Sequence, residues 1–148
     1  MTPYDMIRTH LSTVIPFATH VGVVLGDIGD GTATATLAQR TETSNHIQSQ
    51  HAGAMFTLGE AASGAALAGA LAPVILGVRP VASGASITYV KIAKGTLMAH
   101  ARTDTAGATL LQTLQDTGKV AFDVDVDIRD GDGDTVVEMK VGWHVRKA

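Results

Sequence analysis

Ala52-Gly-Ala-Met-Phe-Thr-Leu-Gly-Glu60-Ala-Ala-Ser-Gly-Ala-Ala-Leu-Ala-Gly-Ala-Leu-Ala72 holds a single ionisable residue, Glu60, and 13 of its 21 residues are Ala or Gly. Pro73 follows directly, so the run reads as one helix of about 20 residues closed by a proline. It is apolar nearly all round, the pattern of a helix enclosed by other structure. A membrane span has the same length. Against that reading, Glu60 in mid-segment costs about 2.5–3.5 kcal/mol to insert, and Ala and Gly stand where a span carries Leu and Ile. The helix is expected inside the protein, where small side chains let neighbours approach closely.

The segments on either side read differently. Upstream, Thr2 and Pro3 suit an N-cap and a first helical position, Met6, Ile7, Leu11 and Val14 follow near helical spacing, and Pro16 is expected to end this short helix. From His20 the pattern turns to that of a hairpin: Val21 to Ile28, the turn Gly29-Asp-Gly31, then the alternating Thr32-Ala-Thr-Ala-Thr-Leu37. A polar stretch from Gln39 to Gln50 leads into the long helix. Downstream, strands are expected over Val81 to Ile92, Thr96 to Asp104, Lys119 to Arg129 and Val136 to Arg146, with a helical insert from Thr105 to Asp116. In the last two strands Phe122, Val124, Val126 and Ile128 alternate with Asp123, Asp125 and Asp127, and Val137, Met139, Val141, Trp143 and Val145 with Glu138, Lys140, His144 and Arg146. Each has one wet face and one dry face, as in an antiparallel sheet covered on one side. The expected fold is α+β: a curved antiparallel sheet of six strands wrapped around one long helix, with a short N-terminal helix.

The 148 residues (15.3 kDa) suit one domain over 1–148, with 45% apolar and 17% charged residues and a mean hydropathy of +0.20. Alanine supplies 22 of the 67 apolar residues, aromatics only six. With no Cys, disulfides, thiolate metal sites and Cys nucleophiles are excluded together. A net charge of −3 gives no footprint for nucleic acid or an anionic membrane. The N-terminus has neither a basic flank nor an apolar run, so a cytoplasmic location is expected.

Glu60 draws attention first, because a carboxylate within an apolar helix is costly unless paired or functional. Its alternatives are exposure, or a structural pair with Arg79 or Lys91. His51 stands at the start of the same helix, where the first-turn amides of Ala52, Gly53 and Ala54 are unpaired donors suited to developing negative charge; a simple capping role is the alternative. No metal is expected. His46 and His51 lack ligand spacing, and Asp130, Asp132 and Asp134 imitate a calcium loop that has Thr135 and Val141 where Gly and Glu belong. No G-x-S-x-G occurs. Lys91 and Lys94 are candidate phosphate contacts, with a solvated turn as the alternative.

Asn45-His-Ile-Gln-Ser-Gln-His51-Ala-Gly-Ala-Met-Phe-Thr-Leu-Gly-Glu60 resembles the signature of hot-dog-fold acyl-CoA thioesterases of the phenylacetate-degradation type: Asn, six residues later His-Gly-Gly, and nine after the His an Asp or Glu on the central helix. Asn45, His51 and Glu60 match in identity and spacing, and Val81-Ala-Ser83 resembles the strand that carries a pocket Ser in part of that family. Two positions depart, Ala52 for the first Gly of His-Gly-Gly and Gln48 for a Gly three before the His. The resemblance implies hydrolysis of a small-to-medium acyl-CoA without a cofactor. The Ala52 N–H would polarise the thioester carbonyl, His51 and Asn45 would orient carbonyl or water, and Glu60 would act as base or nucleophile. Gln48 and Ser83 would line the substrate site. On one helix Ala52 and Glu60 lie about 12 Å apart, too far to serve one carbonyl, so a homodimer with sites across its interface, or a tetramer, is expected. The alternatives are an acyl thioester hydratase or dehydratase, whose D-x-N-P-x-H and H-F-P-G patterns are absent, and a non-catalytic acyl-CoA binding protein, which has no need of Glu60.

Overall fold

The computed structural model describes residues 1–148. Helix α1 (Pro3–Val14) begins with a capping box: the Thr2 hydroxyl accepts the Asp5 N–H, and the Asp5 carboxylate accepts the Thr2 N–H. Pro16 ends α1 but also opens a second short helix, α2 (Pro16–Val21), because its fixed φ suits a first helical position. The hairpin therefore starts later than expected, with β1 (Val23–Gly29) and β2 (Thr32–Leu37). Helix α3 (Ala52–Ala70) is followed by a 3₁₀ turn over Ala72–Gly77. The remaining elements are β3 (Val78–Tyr89), β4 (Leu97–Thr103), α4 (Gly107–Thr117), β5 (Lys119–Arg129) and β6 (Thr135–Lys147). No helix is long and apolar enough to cross a membrane.

The six strands form one antiparallel sheet in the order β1-β2-β4-β5-β6-β3, with α3 on its inner face. This is the hot-dog fold. Beneath the helix, β2 and β4 present Ala33, Ala35, Ala99 and Ala101, all buried, while β5 and β6 present Val124, Val126, Ile128, Val141 and Trp143. Alanine on the helix thus meets alanine on the strands, which accounts for the composition. At Gly69 the approach is closest, since a Cβ there would overlap the carbonyl oxygen of Gly29.

Two expectations are corrected. The long helix is not enclosed all round: Gly53, Phe56, Glu60, Ala61 and Gly64 form a stripe that stays partly open, with Phe56 37% exposed. Strand β3 starts three residues early and is uncovered on both faces, with exposed residues from Val81 through Ser86. It runs through Pro80 because it is an edge strand, the place in a sheet where a missing donor is tolerated.

Candidate functional site

The loop before α3 sets the geometry of the helix start. His51 is the N-cap, with φ −68° and ψ 140°, and its Nδ1 accepts the Gly53 N–H at 2.8 Å. An accepting Nδ1 places the proton of the neutral ring on Nε2, leaving one donor on an exposed side chain. Of the expected first-turn donors, Gly53 is occupied by this cap. Ala52 is exposed, and its N–H has no partner within the protein, at the positive end of a 19-residue helix.

Asn45 is committed to building the loop. Its Oδ1 accepts from the Ile47 and Ser49 amides and the Ser49 hydroxyl, while both Nδ2 hydrogens go to Ser49 Oγ (2.8 Å) and the Gln50 carbonyl (3.4 Å). Both donors of the Asn45 side chain are thus spent inside the loop. Gln48 adopts φ 58°, the left-handed region that favours glycine. A residue with a side chain holds that turn at about 1–2 kcal/mol, and the turn geometry explains the Gly found there in the resembled family.

Two glutamines that the motif reading passed over staple this loop to the β3–β4 turn. Gln50, only 1% exposed, donates Nε2 to the Leu37 and Gly95 carbonyls, and its own N–H goes to the Ala93 carbonyl at 2.8 Å. Gln39 Oε1 accepts the Gly95 N–H at 2.7 Å, and its Nε2 donates to Ser44 Oγ and the Gln48 carbonyl. These contacts span up to 56 residues of sequence, so no local pattern reveals them.

Glu60 faces the open stripe of α3, two turns beyond Ala52. Its carboxylate makes no hydrogen bond and no ion pair; neither Arg79 nor Lys91 reaches it. Burial alone raises its pKa above the ordinary 4.5. The turn that carries it is anchored from behind, where Trp143 Nε1 donates to Ser63 Oγ (3.1 Å) and Ser63 Oγ to the Glu60 carbonyl (2.7 Å). At the end of β3, Tyr89 donates its hydroxyl to the Ala52 carbonyl at 3.1 Å, fastening the edge strand to the first turn of α3.

The other expected residues are dispersed. Ser83 sits in a β-bulge between Ala82 and Gly84 and donates to the Gly142 carbonyl at 3.1 Å. The space a Gly142 Cβ would take lies between Ser83 Oγ and the Asp123 carboxylate, so the Ser83 hydroxyl lies on the outer face of the sheet, away from α3. Lys91 is held by Asp134 (2.8 Å) and Asp130 (3.3 Å), and those hydrogen bonds raise its pKa. Asp130 also accepts the Asp132 and Asp134 amides, so the three-aspartate loop is organised by its own backbone and by Lys91. Lys94 is exposed, forms no ion pair, and lies in the turn stapled to the His51 loop.

Two clefts of the chain, one on the outer sheet face and one between α1, the 3₁₀ turn and α4, are lined by none of Asn45, His51, Ala52 or Glu60. The chain presents the α3 start and Glu60 on an open surface.

Comparison with solved structures gives the same architecture. A Pseudomonas aeruginosa protein of unknown function, named a probable thioesterase, aligns over 99% of this chain and 97% of its own at 23% identity, with a TM-score of 0.82. The Escherichia coli PaaI protein from the phenylacetic acid degradation operon aligns over 99% and 94% at 22% identity, with a TM-score of 0.75. A hypothetical thioesterase from Streptococcus pneumoniae, solved with coenzyme A, aligns over 92% and 97% at 20% identity, with a TM-score of 0.71. No match was found among curated proteins. The profile of DUF4442, a domain of unknown function, matches residues 5–145. On that match, which spans nearly the whole hot-dog fold described above, the chain belongs to the DUF4442 family.

Proposed function

We propose that the protein is an acyl-CoA thioesterase that works as a homodimer, with each site built from the α3 start of one protomer and Glu60 of the other. The observation that carries this reading is the pairing of a free Ala52 N–H with an unpartnered, desolvated Glu60 carboxylate on the same helix, about 12 Å apart. Two such helices running antiparallel bring the donor of one within reach of the carboxylate of the other. The open stripe of α3 and the uncovered edge strand β3 are the surfaces such a partner would cover. The structural neighbours named for thioesterase activity, one of them solved with coenzyme A, support the substrate class.

In this arrangement the thioester oxygen accepts the Ala52 N–H, and the exposed His51 Nε2–H orients the substrate. Glu60 takes a proton from a water whose oxygen attacks the carbonyl carbon. The tetrahedral intermediate collapses with cleavage of the C–S bond, and the proton leaves with the coenzyme A thiol. Direct attack by the carboxylate gives the same products through a mixed anhydride that water then opens. A pure binding role leaves the cost of a desolvated carboxylate unexplained. Release of free thiol from acyl-CoAs of graded chain length tests the proposal. Wild type releases thiol, and Glu60→Ala lowers kcat by about 100-fold or more. Wild type that binds these compounds and releases no thiol at any chain length sinks the enzyme reading.

A further inference from the structure

Toward one end of the outer face of the sheet, Asp123, Asp125 and Asp127 of β5 and Glu138 of β6 stand among cations that offset them: Lys140 pairs with Asp125 and Arg129 with Asp127. At the other end Lys119 of β5 lies opposite Arg146 of β6, and Arg146 lies opposite Arg79 of β3. Directly opposed residues share a face and adjacent strands are about 4.8 Å apart, so the three cations form one row about 10 Å across. All three are exposed, and none takes part in an ion pair or a side-chain hydrogen bond. Like charges in opposed positions destabilise a sheet. The chain is acidic overall, with 14 Asp and Glu against 11 Lys and Arg, yet it places no carboxylate on this row.

We propose that Arg79, Lys119 and Arg146 bind the phosphate groups of the coenzyme A part of the substrate, an inference that rests on the thioesterase reading above. Guanidinium groups suit phosphate oxygens through paired N–H donors. Of the two candidate lysines, Lys91 is engaged by Asp130 and Asp134, whereas this row has no internal counter-charge. Position agrees as well. Arg79 lies ten residues from Tyr89 along β3, about 33 Å, so the row is remote from the α3 start of its own protomer. In the proposed dimer, antiparallel pairing of two β3 edges sets Arg79 beside the Tyr89 end of the partner strand, so the row on the outer face and the partner's helix start on the inner face meet at the same rim of the sheet. Lys94 of that partner lies at the same end.

Calorimetric titration of wild type and the double variant Arg79→Gln/Arg146→Gln with coenzyme A and with adenosine 3′,5′-bisphosphate tests the row without any need for turnover. Binding is expected to weaken about tenfold in the variant, with the melting temperature equal or higher because an opposed pair of like charges is relieved. In parallel, the KM for acyl-CoA should rise about tenfold relative to that for the same acyl group on pantetheine, which lacks the nucleotide. A variant that binds both probes as tightly as wild type overturns the proposal. So does one that melts earlier with unchanged binding, since the cations would then only guard the sheet edge. Wild type that binds phosphatidylserine vesicles and neither probe overturns it in favour of a membrane surface. Wild type that binds coenzyme A through the row yet releases no thiol upholds the row and defeats only the thioesterase reading.

Discussion

Glu60 is the residue on which the proposed chemistry turns, and its surroundings make a signed prediction about pH. Burial raises its folded-state pKa above the ordinary 4.5, with no cation to offset it. Between the ordinary value and the raised one, the folded protein holds a proton that the unfolded chain has released, so stability falls as pH rises through that window. Glu60→Gln removes the ionisation. The variant should melt higher than wild type at about pH 8, with the gain shrinking toward about pH 4, while thiol release is lost throughout. Thermal melts of the two proteins across that range check this, and a variant that melts lower at high pH would show that the carboxylate is paired. The rest of the motif divides in a way identity alone does not disclose. His51 spends Nδ1 on the Gly53 amide and keeps Nε2–H, whereas Asn45 spends its whole amide on the loop. The spacing of Asn45, His51 and Glu60 was legible in the sequence; which atoms stay free depends on hydrogen bonds that close only in the folded loop.

At the scale of elements, the small-residue helix is a device for close packing, and its glycines are not equivalent. A Cβ on Gly69 would collide with the backbone carbonyl of Gly29, which β1 holds in place, whereas a Cβ on Gly59 would press on the thioether of Met139, the flexible end of a side chain. Gly69→Ala is therefore expected to cost about 3 kcal/mol or more by urea denaturation, and Gly59→Ala about 1 kcal/mol or less, because methionine can yield. Equal losses would mean that helix and sheet do not meet at Gly69. The strands on either side of this helix were legible from two-residue alternation, clearly in β5 and β6, where one face is dry. Alternation failed at β3. Its start was hidden by Pro80, which only an edge strand accommodates. Its end was overrun because Lys91 leaves the strand for Asp130 and Asp134. The bulge at Ser83 then places its hydroxyl on the outer face, an irregularity of the ladder that period-two reading does not contain.

For the whole molecule, the open stripe of α3 and the uncovered edge strand β3 say most. The fold was legible because one enclosed helix between alternating strands has few ways to pack. The proposal of a shared site rests on a length, eight residues of helix between Ala52 and Glu60. The long-range staples of Gln39 and Gln50 and the cationic row across β3, β6 and β5 were not legible, because they join segments far apart in sequence. The central claim is that Ala52 of one protomer and Glu60 of the other serve the same thioester. Ala52→Pro isolates the first half: proline suits the first helical position, His51 already has the extended ψ that a following proline requires, and the substitution removes only the N–H. Mixing Ala52→Pro with Glu60→Ala chains, each inactive alone, leaves one intact site in every mixed dimer. Random reassortment should then restore about a quarter of wild-type thiol release. Mixed dimers that form and release no more thiol than either parent would contradict the claim.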